Sequence, residues 1–287
     1  MKSTILTALT LSLLGVAAAH AGHDATGALT FSLSEPSASK FTVAGPAQVA
    51  QGFTTVILEN TSKQAFTPVL AQLKNGATDA QVKAALGKLM QSRGEDMSAI
   101  LNLADFVGGT ASLAPGATFE YGTSLRSGKY VLFGFGATEE GKPFYDLGQY
   151  KTFTVTTAKN GAAVPKADVK ATLKDFKVEL PKTVKAGKQL WEISNAGQET
   201  HHLMLMRLND GKTMKDVEAF FKAPDPSQAG APPFEDVGGL ETLSKGRKAF
   251  TSFDLKPGEY LVVCFLPSAK QHAPHFALGM ISTVSVK

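Results

Sequence analysis

Cysteine is almost absent from this 287-residue chain, which has one, Cys264. A single cysteine excludes an internal disulfide framework. Histidine is sparse too: there are six, and none lies between His23 and His201. An excess of one charge is also lacking, since 29 Lys and Arg face 25 Asp and Glu. No basic run is interleaved with aromatic residues, so nucleic acid is not an expected partner. The patterns G-x-S-x-G and H-E-x-x-H and the glycine-rich phosphate loop are all missing. The expectation is therefore a protein that is not an enzyme. After residue 21 no apolar run is long enough to span a bilayer.

What is present begins with "MKSTILTALTLSLLGVAAAHAG". Lys2 supplies a positive start, Ile5 to Ala19 an uncharged and mostly apolar core, and Ala19-His20-Ala21 a small-x-small cleavage site. Residues 1–21 read as a signal peptide, so the mature chain is expected outside the cytoplasm, periplasmic or secreted, with no transmembrane segment left. Its removal takes away one lysine and no acid. Export implies an oxidising compartment, where an unpaired thiol needs a reason. The thiol is buried and inert, paired with another molecule, or bound to a metal that shields it.

Composition favours strands. Runs such as "TTVILENT", "KYVLFGFG", "KQLWEISN" and "EYLVVCFL" are rich in Val, Ile, Leu, Phe and Tyr and bounded by Gly, Pro and Asn. Two stretches carry helical spacing. In "TDAQVKAALGKLMQ" it falls on Val82, Leu86, Leu89 and Met90, and in "TMKDVEAFFK" on Val217, Phe220 and Phe221. The decisive feature is an internal repeat. Asn60 aligns with Asn195, Leu73 with Leu208, Gly76 with Gly211, Thr78 with Thr213 and Val82 with Val217. Further on, Pro143 aligns with Pro274 and Gly148 with Gly279. The chain is predicted to be all-β, two tandem β-sandwich domains each with a helical insertion. The first would span 22–160 and the second 161–287, joined near "TAKNGAAVPKADVK" at 157–170.

The second copy holds Cys264, His275 and Met280, with His201 and His202 upstream. A thiolate, two imidazoles and a thioether are the donor set of a type 1 copper site. With these residues the chain resembles the cupredoxins, the blue copper proteins. "PGEYLVVC" resembles the strand that leads to the family's copper cysteine, "HFALGM" its His-x4-Met spacing, and "SNAGQETHH" the strand end that delivers its first histidine. The resemblance covers 167–287 well and the first half weakly, through the repeat. It implies Greek-key sandwiches, one type 1 copper per chain, and one-electron transfer to a transient redox protein. The ligands it implies are His201, Cys264, His275 and axial Met280.

Adjacent strand residues face opposite ways, so one of His201 and His202 can reach the site. The family pattern favours His201, with His202 the alternative. His-x4-Met spacing and Pro274 favour His275 over His272. His202 stands where the family commonly has an asparagine that fixes the cysteine loop. The resemblance also implies an electron exit at the His275 ring edge, through an apolar patch of Pro267, Pro274, Phe276 and Leu278. Met204 and Met206 alternate on one strand and are expected to pack a core.

The first copy is a control. It has Phe66 and Thr67 for His201 and His202, Gly134 for Cys264, Phe144 for His275 and Gln149 for Met280. All candidate donors are lost together, so this copy is expected to hold no type 1 copper. A second copper centre of the kind found in multicopper oxidases or copper nitrite reductases would need more histidines than it has. Two other readings remain open. One is a copper-binding or delivery protein without a redox partner. The other is a metal-free β-sandwich binding module with Cys264 as an ordinary buried thiol.

Overall fold

The computed structural model describes residues 27–74, 76–92, 94–223 and 230–287. The signal-peptide reading falls outside them. The first half runs β1 (Ala28–Ser37), β2 (Lys40–Ala44), β3 (Gln48–Asn60), β4 (Pro68–Leu73), α1 (Asp79–Gln91), α2 (Ser98–Leu101), β5 (Ala104–Gly109), β6 (Thr118–Leu125), β7 (Gly128–Gly134) and β8 (Tyr150–Lys159). The second half opens with β9 (Val169–Lys174), β10 (Lys177–Glu179), β11 (Thr183–Val184), β12 (Gly187–Asn195), β13 (His201–Leu208) and α3 (Met214–Phe221). It closes with β14 (Phe234–Leu243), β15 (Lys248–Leu255), β16 (Gly258–Val263) and β17 (Ile281–Val286). No helix among the described residues is long and apolar enough to cross a membrane.

Each half is a two-layer sandwich with the same strand order. One layer is β2-β1-β3-β6 in the first half and β10-β9-β12-β15 in the second. The other is β8-β7-β4-β5 in the first, with the start of β3 paired parallel to β8, and β11-β17-β16-β13-β14 in the second, with β11 paired parallel to β17. The pairs β1/β3 and β9/β12 are parallel, so neither can be a simple hairpin, and the chain must cross between layers.

Alternation along β13 shows how the sequence builds these layers. Leu203 and Leu205 point into the sandwich core, while Met204, Met206 and Leu208 point the other way and pack against Val217 of α3. The two methionines thus fill a core, as their spacing suggests. In the first half, Val69, Ala71 and Leu73 of β4 pack likewise against Val82, Leu86 and Leu89 of α1. Both long helices start at a Thr whose side chain joins a capping box, Thr78 with Gln81 and Thr213 with Asp216.

Two polar corners recur at equivalent places. Asn60 Nδ2 donates to the carbonyls of Gln64 (2.8 Å) and Leu113 (2.7 Å), and Asn195 Nδ2 to those of Glu199 (2.8 Å) and Leu243 (2.8 Å). Tyr130 Oη donates to the Arg126 carbonyl (2.9 Å) and Tyr260 Oη to that of Lys256 (2.8 Å). These bonds satisfy buried groups that only one side chain at each position can serve. The duplication is therefore one of architecture as well as of sequence.

The halves meet edge to edge through equivalent strands. β6 pairs antiparallel with β15 at Tyr121 and Thr251, and β5 with β14 at Val107 and Leu243. Ser244 closes the second contact: its N–H donates to the Phe106 carbonyl (3.0 Å), and its Oγ accepts the Phe106 N–H (2.8 Å). Like strand against like strand is the signature of a pseudo-twofold axis, and the pairing covers the middle of the β6 and β15 edges, Tyr121–Thr123 against Ala249–Thr251.

Candidate metal centre

The loop after β12 brings the first histidine. Asn195 Oδ1 accepts the Gly197 N–H (2.8 Å), so the loop from 195 to 201 is pinned at both ends. β13 then starts at His201, which is fully buried and faces Cys264 and His275. The cysteine comes at the end of β16. Ten residues separate it from His275, and the structure shows how they are accommodated. The excursion closes on itself, with Pro267 bridged to Pro274, the Ser268 N–H bonded to the Ala273 carbonyl (2.9 Å) and the His275 N–H to the Leu266 carbonyl (2.8 Å). His275 is therefore paired with Leu266, two residues past Cys264. A 3-10 turn, His275–Leu278, and Gly279 at φ 111° return Met280 so that its carbonyl accepts the Cys264 N–H (3.1 Å). Positive φ there suits glycine alone.

Among the described residues, His201, Cys264 and His275 form the one cluster of three such groups, with ligand atoms all within 4.8 Å of one another. The Nδ1 atoms of His201 and His275 are 3.1 Å apart, and Cys264 Sγ is 3.4 Å from His275 Nδ1. Met280 is fully buried in the same core cluster as Cys264. His272 is exposed on the excursion, outside the cluster.

Each imidazole is held from behind. His201 Nε2 lies 3.0 Å from Asp175 Oδ1, and His275 Nε2 lies 3.1 Å from Glu199 Oε2. A carboxylate can only accept, so each Nε2 carries the hydrogen and each Nδ1 presents a bare lone pair. Two lone pairs 3.1 Å apart repel unless something positive lies between them. Separations of 3.1 and 3.4 Å are also about what N and S donors take around one ion with bonds of about 2.0–2.3 Å. The donors thus fit one soft-to-borderline metal ion, and the carboxylates are the outer partners such histidines use.

Electrostatics agree with that fit. Burial lowers the pKa of both His201 and His275, offset in part by Asp175 and Glu199 respectively, so both rings are neutral ligands. Burial would raise the Asp175 carboxyl, but hydrogen bonds from the Glu199 N–H, His201 and the Gln198 N–H outweigh it and hold it below the usual range. Burial pushes the Cys264 thiol up to about 12 when no cation is near.

His202 faces away from the cluster and takes the loop-fixing role. Its Nε2 accepts the Phe265 N–H (2.7 Å), and its own N–H points at Cys264 Sγ (3.5 Å). One expectation fails. His275 has no exposed ring edge: it is fully buried, and Glu199 covers its Nε2 with a side chain only 12% exposed. Pro267 and Pro274 line a cleft against the first half instead of forming a free patch. The resemblance could not anticipate this, because the covering residues come from outside the ligand loop.

Asp175 and Glu199 were missed in the sequence. The repeat held the signal: Asp175 precedes Phe176 as Lys40 precedes Phe41, and Glu199 follows Asn195 by four residues as Gln64 follows Asn60. Both carboxylates are absent from the copy that lacks the donors.

In that copy the space is filled. A Cβ on Gly134 would collide with the Gln149 side chain. Phe144 packs edge-on to Phe41 with centroids 5.9 Å apart, as His275 does to Phe176 at 5.4 Å. Gln149 is fully buried, and among the described residues neither its Nε2 nor its Oε1 has a partner. Leaving such an amide unmade costs about 1–3 kcal/mol. Gln149→Met, a near-isostere without those needs, is expected to stabilise the protein by about 1–2 kcal/mol, read as a higher urea midpoint. An unchanged or lower midpoint would show that the amide has partners.

No family model matches the chain, and neither does any curated protein. Solved structures do. A dithionite-reduced auracyanin from the photosynthetic bacterium Roseiflexus castenholzii is 17% identical over 41% of this chain and 94% of its own, with a TM-score of 0.28. A multicopper oxidase is 12% identical over 91% of this chain and 88% of its own, with a TM-score of 0.26. A copper-containing nitrite reductase from Thermus scotoductus is 12% identical over 91% of this chain and 61% of its own, with a TM-score of 0.25. The fold is read from the strand order, the paired Asn and Tyr corners and the site itself: it is the cupredoxin fold in two copies, and the second carries a type 1 copper-like site at His201, Cys264, His275 and Met280.

Proposed function

We propose that the chain is a mononuclear type 1 copper protein that carries single electrons between redox proteins and is not itself an enzyme. The carrying observation is the convergence of two Nδ1 lone pairs and one thiol, with both imidazoles fixed from behind by carboxylates. Copper held there would supply the one-electron couple. The protein's part is to hold the donors in one arrangement in both oxidation states. Ring positions set by Asp175 and Glu199, and a cysteine loop tied by His202 and the Leu266–His275 bond, leave little to reorganise.

Burial of every donor argues against a delivery role, which needs copper to be handed over at an accessible site. A redox partner would make a small, transient contact. Beside both ligands lies a half-buried aromatic cluster. Phe265 follows Cys264 and Phe276 follows His275; their rings lie 5.5 Å apart, and both touch half-buried Phe221 of α3, at 5.6 and 5.0 Å. The signal-peptide reading of residues 1–21 supports a place outside the cytoplasm for this traffic.

Reconstitution with Cu(II) tests the reading. One copper per chain and a strong thiolate-to-copper visible band with a narrow copper hyperfine splitting are expected. A protein that stays colourless with one equivalent of Cu(II) would sink it.

A further inference from the structure

Residues of both halves line a cleft of about 520 Å³ beside the ligand loop. This is within the range of small-molecule sites. The first half contributes one wall, with Val69, Phe106, Phe133 and Phe135 among its residues, and Phe265 stands on the other. Phe135 is 36% exposed, one of two large hydrophobic side chains left so open among the described residues.

The ionisable residues that line this apolar space are Glu241, His202 and the exposed Glu95 and His272. No lysine or arginine among the described residues lines it. The Glu241 side chain is only 14% exposed. Its Oε2 accepts the Thr242 N–H (3.1 Å) and the Thr242 Oγ–H (3.1 Å), and His202 Nδ1 stands 3.9 Å from it, beyond hydrogen-bond reach. His202 Nε2 accepts the Phe265 N–H, so that ring is neutral and offers no countercharge. A carboxyl group in apolar surroundings without a cation is costly to ionise. Phenylalanine faces attract cations as well.

We propose that this cleft binds a small organic cation, an ammonium group on an apolar or aromatic body, with the charge at Glu241 and the body among the phenylalanines. Both halves contribute walls, so the site exists only in the paired arrangement, and this gives the copper-free half a function of its own. An occupant would touch Phe265 and Pro274, the neighbours of Cys264 and His275.

Calorimetric titration of the full, copper-free chain with 2-phenylethylamine, which is cationic at neutral pH, tests this against its neutral counterpart 2-phenylethanol. Saturable amine binding is expected, with the alcohol about tenfold weaker or worse. Glu241→Gln keeps the shape and removes the charge, so it should weaken the amine about tenfold and leave the alcohol unchanged. Phe135→Ala, which removes an exposed apolar wall contributed by the first half, should weaken both. No saturable heat, equal affinity for the two probes, or an unchanged amine affinity in Glu241→Gln would each overturn the proposal. Because copper is absent from the titration, the outcome is independent of the type 1 reading.

Discussion

Cys264→Ala is expected to abolish the visible band and to lower Cu(II) affinity by more than the ~100-fold that loss of an outer hydrogen-bonding partner produces. The thiolate is the donor that gives such a site its colour and its preference for copper, and no other side chain can replace it: this is the chain's only cysteine. The variant should still fold. The side chain is fully buried, so removing one sulfur costs no more than a small core truncation, about 1 kcal/mol. That permits a second readout. A ligand that binds only the native state stabilises it, by about 2.7 kcal/mol at a free concentration 100 times its dissociation constant. Copper should therefore raise the melting temperature of the wild-type protein and leave that of Cys264→Ala almost unchanged. A variant that kept both the band and the copper-dependent shift would remove Cys264 from the metal.

The same residue shows how much of the site could be read without coordinates. Cys264, His275 and Met280 lie within 17 residues, and the repeat supplied a copy in which all of them are replaced. Contrast between copies separated donors from scaffold. The scaffold was legible for a related reason: Asn195 and Tyr260 serve buried backbone groups, so the duplication kept both. What could not be read came from chain packing. Whether a ten-residue spacer closes depends on the Pro267–Pro274 bridge, and the burial of His275 depends on where Glu199 falls in three dimensions. Spacing along a chain reports neither. The closing of the cleft by α1 and β4 of the first half likewise follows from the β6–β15 and β5–β14 pairings, which no local pattern announces.

Glu199→Gln and Asp175→Asn should have different effects, although each touches one histidine. Glu199 Oε2 meets His275 Nε2 and its Oε1 accepts the Ser268 Oγ hydrogen, so the carboxylate ties the ligand ring to the excursion that carries it. Glutamine keeps a side-chain oxygen but loses the charge that makes Nε2–H···O strong. Copper affinity should fall about 10–100-fold, as with other outer partners of metal-bound histidine. The reduction potential should rise as well, because a carboxylate behind the ring favours the more highly charged metal state. Asp175 Oδ1 also accepts the Gln198 N–H (2.8 Å) and the Glu199 N–H (3.0 Å), so it organises the loop as well as the His201 ring. Asp175→Asn should therefore lower copper affinity by a similar factor and, in addition, destabilise the metal-free protein by about 1–3 kcal/mol, which Glu199→Gln should not. Potential, copper affinity and metal-free urea midpoint together distinguish the two roles. A Glu199→Gln protein with unchanged potential and unchanged copper affinity would show that its carboxylate only fills space beside His275, and that the shielding of this ring has no part in setting the couple.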